Sequence, residues 1–293
     1  MTPLDYEYLR KFLKERSGLM LSAEKHYLVE SRLLPVARRA GVNTLVELVQ
    51  KLKGAGSEAL AIEVVEAMTT NETFFFRDKI PFDQFRDDML PALIAARGGR
   101  RSLRIWCAAC STGQEPYSIA MILKEMGPKI AGWRIEIVGT DLSNEVLQKA
   151  REGIYSQFEV QRGLPIQLLV KYFTQVGEMW QISPEIRSMV QYRPLNLLHD
   201  FASLGQFDIV LCRNVLIYFD QPTKIAVLAR LARVTAADGY LTLGAAETVV
   251  GLTEVFRPVP EKRGLYAPAA AGMLPLAASH ANTRQSQLAL VPR

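Results

Sequence analysis

Four short apolar runs, Leu103 to Ala108, Ile135 to Thr140, Phe207 to Cys212 and Tyr240 to Leu243, alternate with helical patterns near Glu115 to Met126, Asn144 to Arg151 and Thr223 to Ala236. Strands separated by helices of this length build βαβ units, so the expected fold class is α/β, a doubly wound and mostly parallel sheet.

Around that unit the chain changes character. From Asp5 to Met68 the spacing of Tyr8, Phe12 and Leu13, then of Leu45, Leu48 and Val49, is helical, with Ser22 and Asn43 as candidate caps. Residues 1–72 therefore read as a small all-helical domain and 73–268 as the α/β domain. Within the latter, Met179 to Ile182 and Val190 to Arg193 read as two short strands around a Ser-Pro-Glu turn, a small antiparallel β subdomain inserted at about 172–195. Residues 269–293 are rich in Ala, Pro, Ser and Gln without periodicity and are expected to be disordered, with Leu290 to Arg293 resembling the remnant of a cut protease-tag site.

Composition narrows the function classes. Hydrophobic residues make up 49% and charged residues 22%, the balance of a globular protein. No apolar run approaches the ~20 residues of a membrane span, and the N-terminus carries no secretory signal, so a cytoplasmic protein is expected. The odd set of Cys107, Cys110 and Cys212 suits a reducing compartment. Cys107 and Cys110 have a redox or zinc spacing, but His26, His199 and His280 are scattered and no second cysteine pair completes a site, so no metal is expected. The net charge of +5 is matched by the segment from Arg10 to Arg39, which holds eight cations against three acids.

Chemistry concentrates where strands end. After Ile105-Trp106-Cys107 come Ala108-Ala109-Cys110-Ser111-Thr112-Gly113 and then a helix opening with Gln114-Glu115. An open α/β sheet binds ligands outside the carboxyl ends of its strands, and small side chains let a ligand approach the backbone there. The run lacks both the dinucleotide glycine fingerprint and the phosphate-cradling Gly-Lys-Ser/Thr, so a nucleoside without phosphates fits best. Glu115 offers a carboxylate to an ammonium or hydroxyl, or serves only the helix dipole. Asp141, after Val138-Gly139-Thr140, can accept from a ribose diol or cap the next helix.

Asn71-Glu72-Thr73-Phe74-Phe75-Phe76-Arg77, the run Ala108 to Ser118, Gly139 to Ser143 and Cys212-Arg213-Asn214-Val215-Leu216-Ile217-Tyr218-Phe219 together closely resemble the chemotaxis-receptor glutamate methyltransferases, in order from about Tyr6 to Tyr266. The resemblance implies a Rossmann-like domain that uses S-adenosylmethionine, leaves S-adenosylhomocysteine, and esterifies glutamates on the cytoplasmic helical domain of bacterial chemoreceptors. It also implies that Asn71, Thr73, Arg77, Glu115, Asp141, Asn196, Leu197, Arg213 and Asn214 line the cofactor site, with Arg77 and Tyr218 closest to the chemistry. Phe74, Phe75 and Phe76 are expected as core or pocket wall.

Methyl transfer to an ionised carboxylate is an in-line displacement that needs alignment more than a base. Arg77 can grip a carboxylate, that of the cofactor or that of the substrate, and Tyr218 can orient the attacking oxygen with one hydrogen bond. Arg32, Arg38 and Arg39 are expected to dock an acidic receptor surface, with the protein acting as a monomer, binding no nucleic acid and inserting in no membrane. Some members of the family resemble a type that captures a receptor C-terminal pentapeptide as an added strand on an extended, glycine-bearing loop. Tyr172 to Trp180 is short and holds one glycine, so independence of that peptide is expected. A nucleic-acid amino-methyltransferase would resemble its class in an Asn/Asp-Pro-Pro-aromatic run after the fourth strand, where this chain has Asn214-Val215-Leu216-Ile217. A nicotinamide dehydrogenase would need the missing glycines, and a scaffold without activity would have no need of the full set of Arg77, Glu115, Asp141 and Tyr218.

Overall fold

The structure, a computed structural model, describes residues 1–22 and 24–269. The tail expected to be disordered, with its tag remnant, lies outside the described residues beyond Ala269. Four helices open the chain, α1 (Pro3–Ser17), α2 (His26–Arg39), α3 (Leu45–Lys53) and α4 (Glu58–Met68). Tyr6, Leu9, Leu13, Val29, Leu33, Leu48 and Val64 recur at helical spacing and bury one another, which gives this unit its own core. Capping departs from expectation. Thr2 and Thr44 close capping boxes with Asp5 and Glu47, so Thr44 rather than Asn43 starts α3, and α2 begins after Lys25 with no side-chain cap.

The chain then runs through α5 (Ile80–Gln84), α6 (Leu90–Ala96), β1 (Ser102–Ala108), α7 (Gln114–Met126), β2 (Arg134–Asp141), α8 (Asn144–Glu152), β3 (Ile154–Ser156), α9 (Gln157–Gln161) and α10 (Ile166–Tyr172). It continues through β4 (Phe173–Val176), β5 (Met179–Ile182), α11 (Pro184–Arg187), β6 (Val190–Pro194), β7 (Phe207–Cys212), α12 (Gln221–Val234), β8 (Thr235–Leu243), β9 (Phe256–Pro258) and β10 (Leu265–Pro268). The large sheet has the order β6-β2-β1-β7-β8-β10-β9. Its first five strands are parallel, and β10 and β9 close it antiparallel.

Alternation along the strands makes two cores. Leu103, Ile105 and Cys107 face α7 and α6 through Ile119, Met121, Leu123 and Leu93. Trp106 and Ala108 face α12 through Val227, Leu228 and Leu231. Strands buried on both faces explain why β1 and β7 read as mostly apolar runs, interrupted by Arg104 and Asp208, rather than as alternations.

A separate three-stranded antiparallel sheet, β3-β5-β4, forms the β subdomain. Here the strand reading needs correction. Val190 to Arg193 does not pair with Met179 to Ile182 but lies parallel to β2 at the edge of the large sheet, and β5 pairs instead with Ile154–Ser156 and Phe173–Val176. The Ser-Pro-Glu turn is the start of α11, a crossover rather than a hairpin. No helix among the described residues is long and apolar enough to cross a membrane.

Candidate active site

Strand register sets the site. Ala108 lies opposite Thr140 on one side and Cys212 on the other, so the residues that follow, Ala109, Asp141 and Arg213, leave the sheet at one level. β1 is also where strand order reverses, with β2 to one side and β7 to the other, the place where open α/β sheets form their crevice. Ala109 (φ 56°), Ser111 (φ 51°) and Gly113 (φ 93°) fold the turn after β1 through left-handed backbone. A Cβ on Gly113 would stand 2.7 Å from the Tyr192 hydroxyl, so only glycine fits both the angle and the space.

A cleft at this edge is lined by Asn71, Thr73, Arg77, Glu115, Asp141, Asn196, Leu197, Arg213, Asn214 and Tyr218, which brings together every residue the sequence points to for cofactor and chemistry. Asp141 is buried. Its Oδ2 accepts from Ser111 N at 2.9 Å and its Oδ1 from Ser143 N at 3.0 Å. Burial pushes its carboxyl up, while the N–H groups of Ser143, Ser111 and Leu142 pull the other way. The cap of α8 is Ser143, whose Oγ accepts from Val146 N, so Asp141 is free of that duty.

Glu115 is paired rather than open. Arg213 donates from Nη1 to its Oε2 at 2.7 Å and from Nη2 to Asp78 Oδ2 at 2.8 Å and Arg77 O at 2.7 Å. Burial raises the Glu115 carboxyl and Arg213 opposes it. The Arg213 side chain is only 2% exposed, and its Nε is buried with no hydrogen-bond partner among the described residues. Arg77 donates to Glu72 O at 2.6 Å and lies over the Phe74 ring. Phe75 is fully buried against Tyr155 and Phe173. Asn196 accepts from Leu198 N at 3.0 Å and donates to Arg16 O at 2.7 Å. Cys107 and Cys110 are buried core residues, and desolvation pushes both thiols well up, which keeps them protonated.

Several lining residues escaped sequence reasoning. Ser17, at the end of α1, Leu19 just after it and Thr69 line the cleft, together with Ser111 and Phe219 from the motifs already quoted. Ser111 Oγ donates to Asn71 O at 2.8 Å and so ties the turn after β1 to the linker after α4. Met20 N donates to Tyr218 O at 2.9 Å. Lys14 pairs with Asp220 at 2.8 Å, and hydrogen bonds from Lys14 and Thr223 hold the Asp220 carboxyl down at about 2.

The basic helices are less free than their charge suggests. Arg10 pairs with Glu7, Arg16 with Glu58 and Arg39 with Glu63. Arg32 turns inward and donates from Nη1 to Met68 O and Thr69 O at 2.8 Å, and from Nη2 to Thr70 Oγ1 at 3.1 Å, closing the carboxyl end of α4. Arg38 is exposed and forms no ion pair among the described residues.

A family model for the CheR methyltransferase SAM binding domain matches residues 71–265, and one for the CheR methyltransferase all-alpha domain matches residues 4–69. The chain is 44% identical over 267 residues to chemotaxis protein methyltransferase 1 of Pseudomonas aeruginosa, covering 89% of this chain and 96% of that protein. It is 42% identical to chemotaxis protein methyltransferase Cher2 of Pseudomonas putida, with 89% and 96% covered. Against chemotaxis protein methyltransferase of Vibrio parahaemolyticus the identity is 38%, with 87% and 93% covered.

Proposed function

The chain belongs to the CheR methyltransferase family, S-adenosylmethionine-dependent enzymes of chemotaxis, and from that premise we propose that it esterifies glutamate side chains on the cytoplasmic helical domain of bacterial chemoreceptors, working in the cytoplasm. The observation that carries the site assignment is the convergence of Asn71, Thr73, Arg77, Glu115, Asp141, Asn196, Leu197, Arg213, Asn214 and Tyr218 on one cleft.

The donor set fits the cofactor. Each Asp141 oxygen accepts one backbone N–H and keeps capacity for a ribose hydroxyl, and the small residues Ala109 to Gly113 leave the backbone approachable. Bound there, S-adenosylmethionine supplies an activated methyl group on a sulfonium. Arg213, fixed by Glu115 and Asp78, sets the floor between β1 and β7. Arg77 spends one donor on Glu72 O, which leaves the rest of its fork for a carboxylate. The Tyr218 hydroxyl, which makes no hydrogen bond among the described residues, donates to the attacking oxygen and holds it in line. Recognition is assigned to the exposed end of α2, with Arg38 and Arg39 meeting acidic receptor helices.

Calorimetry with S-adenosylhomocysteine tests the site. Asp141→Asn keeps the side-chain shape and removes the charge, a loss of about 1.5–3 kcal/mol for hydrogen bonds to a charged group, so affinity should fall roughly 10- to 100-fold. Because burial raises the Asp141 carboxyl, binding to the unaltered chain should also weaken on acidification from a pH above that at which an exposed aspartate protonates. Unchanged affinity in the variant would overturn the assignment.

A further inference from the structure

The turn that carries Asn214 and Tyr218 is organised from outside the four motifs. After β8 the chain reads Gly244-Ala245-Ala246-Glu247, and the Glu247 carboxylate reaches back to β7's end. Its Oε1 accepts from Leu216 N at 2.7 Å, Val215 N at 3.0 Å and Ile217 N at 3.3 Å. Its Oε2 accepts from Asn214 N at 2.8 Å and Gly244 N at 2.7 Å.

These N–H groups have a physical need for an acceptor. Asn214 holds a left-handed φ of 59°, and Leu216–Tyr218 is a single 3₁₀ turn, so its leading amides have no intrahelical partner. A carboxylate gathering several amides supplies charge-assisted bonds stronger than neutral ones. The other end of the turn is also fixed, since Met20 N donates to Tyr218 O. Gly244 completes the clamp, because a Cβ there would stand 2.7 Å from Asn214 Nδ2, 2.7 Å from Glu247 Oε2 and 2.9 Å from Asn214 N.

We propose that Glu247 is a positioning residue for methyl transfer, setting the conformation of the Asn214 to Tyr218 turn and through it the reach of Tyr218. This rests on the reading of Tyr218 given above. The carboxylate touches neither cofactor nor substrate in this role. Glu247→Gln replaces one acceptor oxygen by a donor, which must then face amides that are donors themselves, so the turn relaxes although the side chain keeps its length.

A double-mutant cycle on the full chain decides it, comparing Glu247→Gln, Tyr218→Phe and their combination for kcat and receptor KM, with melting temperatures alongside. Each single change is expected to lower kcat at least tenfold with receptor KM within threefold of the unaltered enzyme, and the combination should fall no more than about threefold below the worse single variant. Two losses that multiply in full would overturn the proposal, as would an unchanged kcat in Glu247→Gln. A silent Tyr218→Phe beside an impaired Glu247→Gln would refute the Tyr218 assignment alone and support Glu247 acting through Asn214. Should Glu247→Gln not fold, Gly244→Ala presses on the same turn while keeping the carboxylate, and its kcat decides in the same way.

Discussion

Arg32 and Arg38 sit on one helix, carry the same charge and do different work. Arg32 satisfies the last carbonyls of α4 beside Thr69 and Thr70, which line the cleft, whereas Arg38 stands in solvent. Arg32→Glu should therefore cost about 1–3 kcal/mol through the unpaired carbonyls and lower the melting temperature by several degrees. Arg38→Glu should leave melting and cofactor affinity alone and raise the receptor KM severalfold, an effect that fades with salt. Melting curves and initial rates of both variants check this, and identical behaviour of the two would count against the assignment of docking to the end of α2. At this scale the sequence is legible where chemistry selects a residue type at a fixed place. Asp141 and Glu115 stand at a strand end and a helix start beside one small-residue turn; a carboxylate at either place also suits a helix N-terminus, so it is the two together that single out this edge of the sheet. Arg32 was expected at the receptor because its true acceptors are backbone carbonyls far along the chain, which leave no side-chain signature. Glu247 is silent in sequence for the same reason, although the small residues before it follow a strand much as Ala109 to Gly113 do.

The β subdomain depends on how its strands turn. Val176 pairs with Met179 across a two-residue hairpin whose first residue, Gly177, has φ 62°, the arrangement in which glycine leads a tight turn. So short a connection offers no extended loop on which a peptide could be laid as a further strand. Titration of the isolated receptor pentapeptide should show no binding in the low-micromolar range, and receptors with and without it should be methylated alike. Binding at that strength would prove the hairpin edge sufficient. Of this hairpin only the Met179 to Ile182 strand was legible, because Phe173–Val176 buries Phe173 alone and shows no apolar alternation. The place of β6 was not, since Val190 to Arg193 looks the same whether it pairs with a hairpin neighbour or, after the crossover of α11, beside β2. Helices announce themselves by period and central parallel strands by short apolar runs, but partners across a sheet are settled by packing, here by Tyr192 beneath Gly113 and Gly139.

The helical domain and the α/β domain meet at the cleft itself. Lys14 to Asp220 and Met20 N to Tyr218 O hold them together beside the turn that bears Tyr218, and Asn196 to Arg16 O and Asn144 N to Glu66 do so after β6 and β2. A receptor helix engaged by the basic helices would thus be presented to a site whose rim those helices partly build, which gives a physical reason for the two domains to occur in one chain. The doubly wound sheet and the helical domain could be read from their patterning, whereas this shared rim could not, because its contacts join residues from 78 to about 200 positions apart. The central claim is the chemistry of the product. Incubation of the full chain with a receptor cytoplasmic domain and methyl-labelled S-adenosylmethionine, followed by digestion and peptide mass mapping, should place the label on glutamate side chains as base-labile methyl esters. Label confined to nitrogen or to other residue types, or no transfer to the receptor from a chain that binds the cofactor, would contradict the account.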